Sequence, residues 1–301
     1  RVLVELSLSF FNSSLFFLSF FLLFKKFSQN YSYNLCIAAI VLLIYGTYLN
    51  NLSSGGYIET IILFLLSLRL IYLYKENLET KDYILIAIID GLLICLRFFY
   101  FWVVIIFLLI NLKFFKIKSA KIIYYFICLT SILTIFYGLQ NIIPTYAYLN
   151  TNELNSLNLT DYYFIKIKRS FCVDNLLDLF LVFSERVFYS LFSLSVGLFF
   201  IFPIFILTFF ANNKKILIAK YIILIGFICA FSLEQNFYLP AGISGHRGLA
   251  PLLIIFLPEI IEFLEKISKS KKRNNYLIIF GFIILLFTPS LYYRSTLAHY
   301  T

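Results

Sequence analysis

The chain contains few charged residues for its length. Of its 301 residues, 13% are charged and 61% are hydrophobic, so the charged share is about half that of a typical soluble domain. A soluble protein of this size could not bury so much apolar surface. The composition therefore excludes an ordinary soluble domain and predicts an integral membrane protein.

Several sequence motifs are also missing. The chain has no GxxxxGKS/T phosphate loop, no GxGxxG turn, no HExxH and no Cys/His spacing suited to a metal. Its five cysteines lie mostly within apolar runs, without short repeated spacing, as expected of small buried apolar residues. We therefore exclude nucleotide hydrolysis by this chain and expect no cysteine-based metal cluster or disulfide framework.

The beginning of the chain is unusual. The sequence starts at Arg1 and contains no methionine. It shows no secretory signal with a cleavage site, because the first apolar run continues into the pattern of a membrane helix. We expect an N-terminally truncated fragment of a longer protein.

Long apolar runs alternate with short connectors that carry lysine or arginine. Each run is long enough, at a rise of about 1.5 Å per residue, to cross most or all of a hydrocarbon core of about 30 Å. We predict a single all-α domain over 1–301, a polytopic bundle of about ten transmembrane helices. The predicted spans are 8–24, 34–49, 57–74, 83–96, 98–112, 121–140, 188–211, 216–233, 249–267 and 275–293.

The basic residues predict the orientation of these helices. The formal net charge is +10, but the lysines lie between apolar runs instead of on one soluble face, so no nucleic-acid partner is expected. Five basic clusters, including Lys25 with Lys26 and Lys214 with Lys215 and Lys220, are assigned to the cytoplasmic side. This alternation requires a break at Arg97 between two short helices. It places residues 141–187 in an external loop, and residues 171–192 resemble an amphipathic helix lying in the membrane interface.

Glu59 is the first candidate site residue. The external turn Ser53-Ser54-Gly55-Gly56 delivers its carboxylate to the first turn of a helix, where it could position a cation or a sugar hydroxyl. The alternative is that Glu59 only complements the positive end of the helix dipole.

Asp90 and Arg97 form the second candidate. Seven residues separate them, so the two charges lie about two turns apart on roughly one helix face. Arg97 at an outer turn is suited to bind the phosphate of a lipid, because guanidinium contacts phosphate oxygens in a bidentate fork. The alternative is that Arg97 only extends toward the lipid head groups.

The third candidate is the segment from Glu234 to Pro251. Three glycines surround His246 and Arg247 just before a helix begins. Backbone donors at the helix start, together with the arginine, could bind an anion, and the histidine could carry protons. An ordinary interfacial loop would give the same pattern.

The order of several segments resembles that of the bacterial GT-C membrane glycosyltransferases, a group that includes protein mannosyltransferase-like and Rgt-type galacturonosyltransferase proteins. The likeness covers most of the chain in order and spacing, although each motif alone is degenerate. The stretches that carry it are Tyr45-Gly46-Thr47-Tyr48 with Tyr57-Ile58-Glu59, residues 87–97, residues 195–203, and Gly245-His246-Arg247-Gly248-Leu249-Ala250-Pro251.

The resemblance implies an enzyme of the bacterial inner or plasma membrane that transfers a sugar from a polyprenyl-phosphate donor to a lipid or cell-envelope glycan on the outer face. Inversion at the anomeric carbon requires a carboxylate base and cationic groups at the leaving phosphate. The acidic catalytic residue of the group lies in a first external loop, which would precede Arg1. Glu59 is therefore the substitute candidate for the base, and Arg97 and Arg247 are the expected phosphate ligands. Further substrate-binding candidates are Asp90, Glu234 and His246. A divalent cation could assist.

Two other functions remain open, as does a structural or assembly subunit without catalysis. A polysaccharide polymerase or ligase of the O-antigen type would be indicated by a second long arginine-bearing external loop, and only one long loop is visible. A transporter of a lipid-linked saccharide would be indicated by internal symmetry and charges along a central path, and no convincing repeat is visible.

Overall fold

The computed structural model describes residues 2–28, 57–75, 78–97, 100–114, 119–142, 176–192, 208–209, 214–232 and 251–268. Within these ranges the chain is helical and contains no strand, which confirms the all-α prediction. Four predicted features lie wholly or mostly outside the described residues, namely the spans 34–49, 188–211 and 275–293 and the part of the external loop before residue 176.

Eight α-helices are present in the described ranges. We number them α1 (Val2–Phe27), α2 (Tyr57–Leu73), α3 (Thr80–Leu96), α4 (Tyr100–Phe114), α5 (Ser119–Ile142), α6 (Leu176–Phe192), α7 (Lys214–Ser232) and α8 (Leu257–Ser268), with a 3₁₀ turn at Leu253–Phe256 just before α8.

The sequence explains several helix ends. Lys25 and Lys26 lie in the last turn of α1 and Glu59 in the first turn of α2, where their charges complement the helix dipole. Glu79 is the N-cap of α3, and its backbone N–H donates to the Asp82 carboxylate at 2.7 Å. Arg97 ends α3 in an extended conformation with φ −151° and ψ 115°, so α3 and α4 are separate helices.

The helices pack around one main core. Helix α2 contacts α1, α3 and the 3₁₀ turn, while α4 contacts α3 and α7. The core is made of aromatic and aliphatic side chains from these elements, among them Phe20, Leu66, Leu93, Phe107, Phe227 and Phe256. A smaller cluster of Tyr83, Ile86, Ala87 and Tyr125 joins α3 to α5. Helix α2 is therefore at the centre of the described bundle.

Two glycines allow close helix packing. A Cβ at Gly91 of α3 would lie 2.9 Å from Cγ2 of Ile132 in α5, and a Cβ at Gly226 of α7 would overlap the indole of Trp102 in α4. Both helix pairs approach more closely than a larger residue would permit.

One described helix is long and apolar enough to cross a membrane. This is the stretch Phe10–Phe27 of α1, which has a mean hydropathy of 1.3 and of which only 22% is buried. Apolar stretches of 10 to 17 residues occur in α4, α5 and α7, at Tyr100–Asn111, Ile122–Phe136 and Ile216–Cys229. Helix α1 is thus long and apolar enough to cross a membrane and is buried over only a small part of its length, which supports association with a membrane.

Helix α6 occupies the end of the predicted external loop. Its exposed side chains include Phe180, Phe188, Asp178 and Glu185, while Arg186 is buried against α7. The helix therefore combines exposed apolar side chains with exposed charges, and its placement in the membrane interface stays a prediction.

Candidate functional site

The structure brings Glu59 and Arg97 together. Arg97 Nη2 donates to Glu59 Oε1 at 2.5 Å, across the start of α2 and the end of α3. The Glu59 side chain is 2% exposed and that of Arg97 is 27% exposed. The pair therefore consists of a buried carboxylate and a partly exposed guanidinium.

Both side chains of this pair keep unused hydrogen-bonding capacity. Among the described residues, Glu59 Oε2 has no hydrogen-bond partner, and it is buried, so it can accept a hydrogen bond from another molecule only after the groups around it move. The backbone N–H of Tyr100 donates to the Arg97 carbonyl at 3.0 Å, which fixes the chain where α3 turns into α4. Arg97 presents further N–H donors beyond the one that Glu59 accepts.

Asp90 lies elsewhere in the bundle. Arg69 Nε donates to Asp90 Oδ1 at 2.8 Å, and the Tyr125 hydroxyl donates to Asp90 Oδ2 at 2.9 Å. Asp90 and Arg69 are both 0% exposed. Asp90 and Arg97 both reach residues of α2, as their placement on one helix face predicts, but Asp90 has both carboxylate oxygens occupied.

The remaining predicted site residues are Glu234, His246 and Arg247. All three lie outside the described residues, so their role in binding an anion stays a prediction. The described chain resumes at Pro251, and residues 251–261 are buried. The residues that follow this segment in the sequence therefore lie in the interior of the bundle.

The sequence analysis missed a second polar cluster. Lys220 Nζ of α7 contacts Glu259 Oε1 at 2.6 Å and Oε2 at 2.7 Å, and it donates to the Tyr74 hydroxyl at 3.0 Å. Tyr74 also donates to Glu259 Oε1 at 2.9 Å. Lys220 was grouped with the connector lysines, and this placement is wrong, because its side chain is 0% exposed inside the bundle.

Arg69 was missed as well. The signal that could have revealed these residues is a single charge inside an apolar run, because such a charge must find a partner of opposite sign. Arg69 follows Leu68 within the apolar run of α2, and Glu259 follows Pro258 within the apolar run 249–267. The sequence shows that they need partners but does not identify them.

Smaller ion pairs lie where α2 connects to α3. Lys75 Nζ contacts Asp82 Oδ2 at 2.8 Å, and Lys81 Nζ contacts Glu79 Oε2 at 2.8 Å. Burial alone would raise the pKa of Asp82, but the hydrogen bonds from Lys75 and from the Glu79 backbone, together with the lysine charges, lower it below its usual value. The hydrogen bond and charge of Lys81 lower the pKa of Glu79 as well.

The described residues offer little for a metal ion. They contain no group of three or more His, Cys, Asp or Glu side chains able to hold one. Cys95, Cys128 and Cys229 are free thiols.

No protein-family model matches this chain, and neither a curated protein nor a solved structure was found to be similar to it.

Proposed function

We propose that the chain is a multi-pass protein of the bacterial cell membrane that transfers a sugar from a polyprenyl-phosphate donor to a lipid or glycan acceptor on the outer face. The observation that supports this proposal is the contact between Glu59 and Arg97, which brings together a carboxylate for the role of base and a cation for the role of phosphate ligand. The resemblance to the GT-C glycosyltransferases gives the substrate class.

The distribution of side chains supports the multi-pass placement. Large apolar residues are exposed on α1, α5 and α7, for example Phe10 at 77%, Ile135 at 62% and Ile225 at 59%. By contrast, Arg69, Asp90, Lys220 and Glu259 are buried. Apolar residues outside and paired charges inside suit a protein surrounded by hydrocarbon, because unpaired charges there are costly. About ten helices would then cross the membrane, including the predicted spans outside the described residues.

The short helices are compatible with this placement. Helix α4 has 15 residues and α2 and α3 have 17 each, which correspond to lengths of about 22 to 26 Å at 1.5 Å per residue. Local thinning of the bilayer and the charged residues at the helix ends accommodate such lengths.

The proposed reaction uses Glu59 as base. The donor phosphate competes with Glu59 for the Arg97 guanidinium and frees the carboxylate to accept the proton of the acceptor hydroxyl. The acceptor oxygen then forms a bond to the anomeric carbon while the bond from that carbon to the phosphate oxygen breaks, with inversion. The released polyprenyl phosphate carries the negative charge, which Arg97 stabilises. Arg247 is a further proposed phosphate ligand.

The direct test measures release of polyprenyl phosphate. The protein is purified in lipid nanodiscs and incubated with a panel of polyprenyl-phosphate sugars and candidate acceptors. We expect turnover with at least one donor and a loss of about 100-fold in Arg97→Ala, the usual effect of removing one donor to a developing anion. Glu59→Gln should lose a comparable factor, since it keeps the side-chain shape but removes the base.

Lys75→Gln is the matched control. Lys75 also joins α2 to α3 through an ion pair, with Asp82, and its side chain is 38% exposed, but it lies at the opposite end of the helix pair. The turnover of the Lys75→Gln variant should match that of the unmodified protein. Equal losses in Arg97→Ala and Lys75→Gln would reject the site. A folded protein that turns over no donor would reject the transferase, and polymer ladders formed from pyrophosphate-linked oligosaccharides would favour the polymerase.

A further inference from the structure

A buried polar cluster joins four consecutive helices. Asp90 of α3 accepts hydrogen bonds from Arg69 of α2 at 2.8 Å and from Tyr125 of α5 at 2.9 Å. The Arg69 guanidinium lies 5.3 Å from the ring centre of Phe107 in α4. We call these four residues the α2–α5 node.

The node holds Arg69 in one arrangement. Within the described part of the chain, the Arg69 Nη1 and Nη2 atoms have no hydrogen-bond partner, and the guanidinium lies over the Phe107 ring. Nε is therefore the atom that links Arg69 to the neighbouring helix. Because both side chains are 0% exposed, the Arg69–Asp90 pair lies away from solvent in this arrangement of the two helices.

The same two helices carry the proposed transfer site. Glu59 precedes Arg69 by ten residues on α2, and Arg97 follows Asp90 by seven residues on α3. These separations correspond to about 15 Å and about 10 Å along the helix axes. The antiparallel pair α2–α3 is thus joined at one end by Glu59 and Arg97, and further along by Arg69 and Asp90.

We infer that Arg69 and Asp90 are positioning residues that fix the register of α2 against α3 and thereby hold Glu59 opposite Arg97; the inference rests on the proposed function for the role of that site. Apolar side chains alone select a register poorly in hydrocarbon, because lipid solvates each of them equally well. A buried ion pair selects one register, since any shift leaves a charge unpaired.

The distance between the two helix ends tests the inference without any activity. Spin labels are attached to the native Cys95 near the end of α3 and to Ile58→Cys near the start of α2, with the other cysteines replaced by serine. In Asp90→Asn we expect the label distance to shift or broaden by about 3 Å or more, the rise of two helical residues. An unchanged distance distribution would overturn the inference.

Glu259→Gln provides a matched control. It disrupts the other buried ion pair, with Lys220, which also contacts Tyr74 after α2 but does not join α2 to α3. The label distance in Glu259→Gln should equal that in the unmodified protein. A shift as large as that in Asp90→Asn would show a general loss of packing and would overturn the inference. Tyr125→Phe removes only one hydroxyl from the node and should broaden the distribution less; it decides the question if Asp90→Asn does not fold.

Kinetics separate a positioning role from direct substrate contact. If Asp90 only positions Glu59 and Arg97, Asp90→Asn lowers kcat by about 100-fold with little change in the donor KM, and Asp90→Glu recovers most of the turnover. A rise in KM at unchanged kcat would instead make Asp90 a substrate ligand and overturn the inference. If the unmodified protein has no turnover, the proposed function fails while the label distances still decide the positioning role.

Discussion

Lys220 and Glu259 form a buried ion pair in which the ammonium contacts both carboxylate oxygens, at 2.6 and 2.7 Å. The two side chains are 0% and 2% exposed and connect α7 to α8. Tyr74, directly after α2, hydrogen bonds to both partners. Three parts of the chain that are distant in sequence therefore meet at one polar contact.

Removing one partner of this ion pair should lower the stability of the protein more than replacing both partners with apolar residues. Lys220→Met leaves Glu259 charged and unpaired, and we expect a loss of about 3–5 kcal/mol in unfolding free energy. The double variant Lys220→Met with Glu259→Leu should recover most of that loss, because no charge remains buried. Thermal unfolding in detergent measures both. Equal stabilities of the single and double variants would show that the charge itself is not what matters.

Asp82 should stabilise the protein in a pH-dependent way. The folded-state pKa of Asp82 lies below its usual value, so its contribution is present above the unfolded-state pKa of about 3.9 and disappears as the pH falls through the lower folded pKa. At pH 7, Asp82→Asn should be less stable by about 1 kcal/mol, the size of a helix-cap contact.

The measurement for Asp82 is thermal unfolding of both proteins between pH 7 and pH 3. The difference should shrink as the pH falls below about 3.9, the usual unfolded-state pKa, because the unfolded chain then binds a proton that the folded protein does not yet bind. Lys81→Gln is the control, since Lys81 and Glu79 are both largely exposed, at 71% and 65%, and such a pair contributes little. A pH-independent difference for Asp82→Asn would reject the ionic explanation.

Gly91 should tolerate no larger residue. In Gly91→Ala the added Cβ would lie 2.9 Å from Cγ2 of Ile132, and we expect a destabilisation of about 1–3 kcal/mol from overpacking. Adding Ile132→Ala removes the contacting methyl group, so the double variant should lose less stability than the two single changes added together. Additive losses in thermal unfolding would contradict the close approach of α3 and α5.

The multi-pass proposal predicts which helix ends share one side of the membrane. Lys81 at the start of α3 and Lys214 at the start of α7 are exposed, and both belong to the predicted cytoplasmic side. Single cysteines at these positions, in an otherwise cysteine-free protein, should react with an impermeant maleimide only after the cells are opened. Labelling of either position in intact cells would reject the proposed topology.

Local patterns allowed the sequence to predict the helical class and several helix positions. The stretch 83–112 divides at Arg97, where the alternation of lysine clusters required a break, and the described chain has α3 and α4 on either side of it. The pairing of Glu59 with Arg97 was not predicted, although both residues were selected. The turn and charge patterns identify each residue separately, whereas their contact depends on how α2 packs against α3.

Composition and the spacing of apolar runs are local properties, so the helical class and the large apolar surface can be predicted from the amino-acid sequence. Which charges meet depends on how the helices pack. Arg69 reaches Asp90 across 21 positions and Lys220 reaches Glu259 across 39, and no local pattern encodes those separations. The physical reason is that a buried charge requires a partner without specifying which one, so helix packing makes the choice.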